Sequence, residues 1–188
     1  MMKPESLTLQ NQYLPDFHFN EVHRITIEAP REKVFGKINA FDFSGSTVIR
    51  LLLRLRGLPT NTTKGLDGVL KMGFSLLAVH QDEELILGLI GRFWEPSGKI
   101  QRVAPVDFKA FNDPDFAKVT WNFKILPGRG NLLTVETETR IACIDPVVRR
   151  RFARYWFLIK PFSGIIRKHM LKQIKIQAEN LVSVINIG

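Results

Sequence analysis

Residues 145–188, DPVVRRRFARYWFLIKPFSGIIRKHMLKQIKIQAENLVSVINIG, decide how the rest of the chain has to be arranged. Val148, Phe152, Tyr155 and Ile159 recur at steps of four, three and four, which places them on one stripe of an α-helix flanked by Trp156 and Leu158. Met170, Ile174, Ala178, Leu181 and Ile185 make a second stripe, opposite Lys168, Lys172, Lys175 and Glu179. Between the two, Pro161 and Gly164 are expected to kink or break the helix, because a proline ring has no N–H to donate and clashes with the preceding turn. Nine of the 27 Lys and Arg residues lie in 146–188 against one acid, so this stretch carries +8 of the formal +9. Arg149, Arg150 and Arg154 project away from the apolar stripe. Arg151 does not: at 100° per residue it falls between Tyr155 and Leu158, on the apolar side.

A helix with a long apolar stripe has to be covered, and the sequence before it reads mainly as strands. His23, Ile25, Ile27 and Ala29 share one face of a strand that begins near Glu21, with Arg24, Thr26 and Glu28 on the other. Pro30 stands at a helix start carrying Val34, Phe35 and Ile38 on one side. A second short helix is expected over Thr47–Arg56, with Val48, Leu51, Leu52 and Leu55 at helical spacing, and Gly57 and Pro59 end it. Residues 57–68 read as a loop.

An antiparallel hairpin is expected from Leu70–His80 and Glu84–Phe93. Met72, Phe74, Leu76 and Ala78 share a face of its first strand, and Leu85, Leu87, Leu89, Gly91 and Phe93 a face of its second. Trp94–Ala104 reads as an irregular connection and Val106–Phe111 as a short strand. Ala117–Leu126 alternates most clearly, with Ala117, Val119, Trp121, Phe123 and Ile125 facing one way and Lys118, Thr120, Asn122 and Lys124 the other. After a turn at Pro127–Asn131, Leu133, Val135, Thr137, Thr139 and Ile141 oppose Thr134, Glu136, Glu138 and Arg140. A charged face against an apolar one predicts a sheet wet on one side only, its other side closed by the terminal helix.

This order is α+β and similar to the helix-grip fold of the START, Bet v 1 and polyketide-cyclase superfamily, in which an antiparallel sheet wraps around a long C-terminal helix, with two short helices after the first strand. The resemblance spans about residues 21–182. Ala29-Pro30-Arg31-Glu32-Lys33-Val34-Phe35 resembles the segment that follows the first strand in that superfamily, and Tyr155–Lys168 resembles a bacterial subgroup of it. It implies a cavity between sheet and helix for an apolar or amphipathic molecule, lipid-like or polyketide-like. It brings no shared catalytic residue, because the superfamily holds carriers and cyclases alike.

Composition bounds the rest. At 188 residues and 45% hydrophobic, the chain reads as one domain, residues 21–188, behind a polar arm, residues 1–20, that covers an edge rather than joining the core. A single cysteine, Cys143, and an N-terminus without an apolar run suggest a reducing, cytoplasmic setting. His18, His23, His80 and His169 are too scattered for metal ligation, and neither Gly88–Gly91 nor Gly128–Gly130 reads as a phosphate loop, so no metal or cofactor is expected.

The candidate ligand-binding residues are therefore the inward side chains His23, Phe74, Leu76, Leu87, Trp121, Phe123, Thr137, Thr139, Arg151 and Tyr155. A carboxylate or enolate would find a charge and hydroxyls there. The simpler alternative pairs Arg151 with Glu136 or Glu138 and leaves the threonines as packing residues. An enzyme on the same scaffold, a cyclase or dehydratase, would use His23 or Arg151 to polarise a carbonyl. Arg150, Arg154, Lys168, Lys172 and Lys175 are candidates for contact with a polyanion, the simpler alternative being a solvated face. That polyanion would be an anionic membrane surface or RNA, although no nucleic-acid motif is visible.

Overall fold

The computed structural model describes residues 8–41, 65–95 and 98–179. The expected helix Thr47–Arg56, the loop through 64 and the stripe residues Leu181 and Ile185 lie outside them. The elements are α1 (Leu9–Tyr13), β1 (Phe19–Ile27), α2 (Arg31–Asn39), α3 (Leu66–Lys71), β2 (Ser75–His80), β3 (Glu84–Gly91), β4 (Ala117–Pro127), β5 (Leu133–Cys143) and α4 (Pro146–Glu179). The five strands form one antiparallel sheet in the order β1-β5-β4-β3-β2. β2–β3 and β4–β5 are hairpins closed by short turns, with Asp82 at φ 58° and Gly130 at φ 61°, while β3 and β4 pair across the long connection 92–116. β1 reaches across the sequence to β5, from Phe19 opposite Ile141 to Ile27 opposite Leu133. α4 crosses one face of this sheet, which is the helix-grip arrangement.

Several elements differ from expectation. Residues 66–71 are helical where a loop and the start of a strand were expected. Gly65, at φ 71°, starts this turn, and Leu66, Val69 and Leu70 point into the main core at helical spacing. A bulge in β2 between Leu76 and Ala78 breaks the simple alternation. Leu76 stays on the inner face, whereas Leu77 and Ala78 both pack on the outer one. Residues 106–111 form turns rather than a strand: the amide of Phe111 donates to the carbonyl of Asp107, and the ring of Phe108 plugs into the sheet, fully buried.

The largest correction concerns the outer face, which stays wet along β1 but is covered over β3 and most of β4. Residues 8–14 and 101–116 cover it there, and Leu9, Leu77, Ile86, Ile90, Phe108 and Phe116 form a second core. Four of the polar side chains whose alternation suggested solvent, Lys118, Thr120, Asn122 and Glu138, are buried there. Thr120 donates to Gln10 Oε1 (2.6 Å), and Gln10 Nε2 donates to the carbonyl of Glu138 (2.9 Å). The Glu84 carboxylate accepts from Asn122 Nδ2 (2.7 Å) and from the amide of Leu9 (3.1 Å). Lys118 Nζ donates to the carbonyls of Lys109 and Phe111, and burial pulls its pKa down. Polar groups survive in a core when each finds a partner, so alternation of polarity on a strand does not by itself mean water on one side. For the same reason residues 9–14 of the arm join the core rather than merely covering an edge: Leu9 and Leu14 are both buried.

α4 runs unbroken for 34 residues with Pro161 inside it. Pro161 and Phe157 both face solvent, so the carbonyl of Phe157, which loses its donor to the proline ring, lies on the wet side of the helix. Gly164 is not a break but a point of close approach. A Cβ built there would meet Glu21 Oε1 at 2.9 Å and His23 Cε1 at 3.6 Å.

Candidate functional site

The inner face of the sheet carries two apolar clusters with a polar belt between them. Toward one end, Ile27, Leu85, Leu87, Trp121, Phe123, Ile125 and Val135 pack against α2, α3 and the α4 residues Met170, Leu171, Ile174 and Ala178. Toward the other, Ala117, Val119, Ile141 and Cys143 pack against Val148 and Phe152, with Phe19, Trp94, Tyr155 and Trp156 around them. Phe152 is the hub of that second cluster, its ring 5.1 Å from Phe19 and 5.7 Å from Tyr155. Cys143 is fully buried here, and desolvation raises its thiol pKa to about 12 although Arg149 pulls the other way. That makes it a packing residue and not a nucleophile.

The belt is built by strand alternation and by register. Glu21 and His23 are two apart on β1 and so share the inner face. Their cross-strand partners on β5 are Thr139 and Thr137, and Trp121 of β4 lies opposite Thr139 in turn. His23 Nε2 sits 2.7 Å from Glu21 Oε1, with side-chain exposures of 15% and 7%. Glu21 Oε2 is buried and has no hydrogen-bond partner among the described residues, and neither has the hydroxyl of Thr139. Thr137 is bound on both sides: its hydroxyl donates to the carbonyl of Asn122 (2.7 Å) and accepts from Trp121 Nε1 (2.8 Å). From the helix, Arg167 lays its guanidinium over the Trp121 ring, 4.5 Å from the centroid.

Beside Trp121 lies an apolar cleft lined by Ile38, Phe41, Leu66, Leu87, Phe123 and Met170, among others. Its free space is about 20 Å³, enough for one water molecule and not for the apolar ligand expected between sheet and helix. The interior around it is filled by the protein's own side chains, with Phe74 meeting Trp121 edge-on at 5.8 Å.

The structure thus brings together His23, Phe74, Leu76, Leu87, Trp121, Phe123, Thr137 and Thr139 on one face. Tyr155 belongs to the other cluster. Arg151 is exposed and takes no part. The reason lies in Leu158, which was counted as part of the apolar side but is 65% exposed, so the edge on which Arg151 sits faces solvent. Glu136 pairs instead with Arg24 at 2.5 Å, and Glu138 with Arg140 at 2.9 Å. Lys175 is also not a free surface charge, because its Nζ donates to the carbonyl of Thr26 and to Glu179.

Two belt residues were missed. Glu21 was legible from its parity with His23. Arg167 lies seven residues before Ile174 on the same stripe, and the expected break at Pro161 and Gly164 hid it.

No family model and no curated protein sequence matches the chain. Solved structures similar to it include two aromatase/cyclases. The di-domain ARO/CYC BexL from the BE-7585A biosynthetic pathway is 10% identical over 82% of this chain, with a TM-score of 0.33. The chain spans about half of that protein, 47% of its length. The Zhui aromatase/cyclase from Streptomyces sp. R1128 is 11% identical over 85% of this chain and 94% of its own, with a TM-score of 0.34. TTHA0849 from Thermus thermophilus is 9% identical over 85% of this chain and 94% of its own, with a TM-score of 0.27. At scores this low the fold assignment rests on strand order, register and the position of α4, not on these likenesses. Among the described residues no group of three metal-ligating side chains exists, and no helix is long and apolar enough to cross a membrane.

Proposed function

We propose that the protein binds an apolar or amphipathic small molecule, lipid-like or polyketide-like, against the inner face of its sheet, with the polar end of the molecule on the belt. The observation that carries this reading is Glu21 Oε2, a buried carboxylate oxygen without a hydrogen-bond partner among the described residues, next to the equally unpartnered hydroxyl of Thr139. Leaving such groups bare costs about 1–3 kcal/mol each, more for a charge, and a ligand hydroxyl that donates to Glu21 would recover it. The apolar part of the ligand would lie in the cleft by Trp121. Entry requires Ile38, Phe41, Leu66 and Val69 to move away from the sheet, since the cleft holds only a water's volume.

Native mass spectrometry of protein purified from cells tests the proposal. The expected result is a copurifying mass that is lost in Glu21→Ala. A ligand-free spectrum, together with no saturable quenching of tryptophan fluorescence by long-chain alcohols, overturns it.

A second reading, an enzyme of cyclase or dehydratase type, is favoured by the 2.7 Å contact of His23 with Glu21, the geometry of a base oriented by a carboxylate. His23→Gln would then abolish turnover of a bound polyketide-like substrate while leaving its affinity within a few-fold. Equal loss of both points to binding alone.

A further inference from the structure

The solvent side of α4 has a composition that folding does not explain. Phe157 is 81% exposed, Leu158 65%, Ile165 50% and Phe162 43%, although apolar side chains of this size are ordinarily covered. Arg150, Arg151 and Arg154 precede this group and Lys168 and Lys172 follow it, all exposed. At 100° per residue these nine side chains fall within an arc of about 140°. The apolar group occupies about 12 Å of helix length, and the cations from Arg154 to Lys168 bracket about 21 Å at 1.5 Å per residue. The only acid in the whole helix is Glu179, at its far end and engaged with Lys175.

We infer that this face of α4 docks in the plane of an anionic lipid surface, with Phe157, Leu158, Phe162 and Ile165 inserted among the headgroups and the five cations on lipid phosphates to either side. The pattern is that of an interfacial helix: an apolar strip flanked by like charges on a single side. Charge complementarity selects this occupant over the others. A second copy of the chain would set two cationic rows against each other around the apolar strip. A nucleic acid would satisfy the cations but gain nothing from Leu158 and Ile165, which offer no ring on which a base can stack. The inference does not depend on the inner-face site, from which this surface is separated by the helix itself.

The test is flotation of the full-length protein with large unilamellar vesicles, either pure phosphatidylcholine or with about a third phosphatidylglycerol. We expect binding to the anionic vesicles only, weakened by raising the salt. Replacing Arg150, Arg151 and Arg154 together with Gln is expected to lower partitioning on the order of 100-fold, at about fivefold per cation. Phe157→Ser with Leu158→Ser leaves the charge unchanged and is expected to lower it on the order of 10-fold. All five positions are exposed, so far-UV circular dichroism and thermal melting should be unaltered in both variants.

Vesicle binding that ignores the Phe157 and Leu158 substitutions would overturn insertion. Tighter binding to a 20-nucleotide RNA than to the anionic vesicles would overturn the lipid assignment. A dimer in light scattering that Phe157→Ser dissociates, with no vesicle binding, would make the face a self-interface instead.

Discussion

Substituting Gly164 tests how closely α4 approaches β1. In an isolated helix Gly→Ala at an interior position is favourable by about 1 kcal/mol, because alanine loses less backbone entropy. Here the new Cβ would lie 2.9 Å from Glu21 Oε1, closer than real Cβ contacts allow. The carboxylate is the far end of a flexible side chain and can turn aside, but it is buried and holds His23 at 2.7 Å. Turning it costs a hydrogen bond to a charged group, about 1.5–3 kcal/mol. The loss exceeds the gain, so Gly164→Ala is expected to destabilise the protein by about 0.5–2 kcal/mol in urea unfolding followed by circular dichroism. In a Glu21→Ala background the obstruction is gone and the same substitution should stabilise by about 1 kcal/mol. The two sites should therefore show a coupling of about 2 kcal/mol in a double-mutant cycle. If Gly164→Ala stabilises the wild-type chain by as much as it stabilises Glu21→Ala, the helix does not press on the belt and the account of Gly164 is wrong.

Other expectations follow from single contacts. Pro161→Ala should raise stability by about 2 kcal/mol, the helix-interior penalty of proline less its restriction of the unfolded chain, and an unchanged melting temperature would mean that the helix is interrupted there. Glu84→Ala strands the Asn122 side-chain amide and the amide of Leu9 in the outer core. It should cost about 2–5 kcal/mol and open the arm to limited proteolysis before residue 20, and resistance equal to wild type would contradict the outer core. Cys143 keeps its proton in the folded state up to about pH 12, whereas in the unfolded chain it ionises from pH 9.0. The folded state then binds the extra proton, so its contribution is constant below pH 9 and falls by about 1.4 kcal/mol per unit above it. Comparing the urea midpoints of wild type and Cys143→Ala between pH 8 and 10.5 isolates this term from the lysines and tyrosines, and parallel curves would refute it.

The architecture was largely legible because it depends on periodicity. The alternation of residues 21–29, 117–126 and 133–141 and the two stripes, Val148 to Ile159 and Met170 onward, describe strands and helix that cannot bury their apolar sides alone, and only a sheet under a terminal helix covers both, although the expected break between the stripes is absent. The same parity placed His23, Trp121, Thr137 and Thr139 on one face without coordinates. Periodicity is local, however, and says nothing about what arrives from elsewhere in the chain. Lys118, Thr120, Asn122 and Glu138 look like a wet face until Gln10, Leu9 and Phe108 are brought over them, and those partners are up to 128 residues away in sequence. Arg151 and Arg167 are both arginines near the edge of an apolar stripe. Which of them turns inward is set by how the helix rolls on the sheet, and that roll is fixed by Gly164 against Glu21 and by Phe152 among its aromatic neighbours. Sequence by itself determined the elements and their faces, since a side chain's direction repeats with the backbone. Tertiary structure alone decided which faces were buried twice, which charge was taken inside and which apolar strip was left outside, because each depends on contacts between residues that the chain holds far apart.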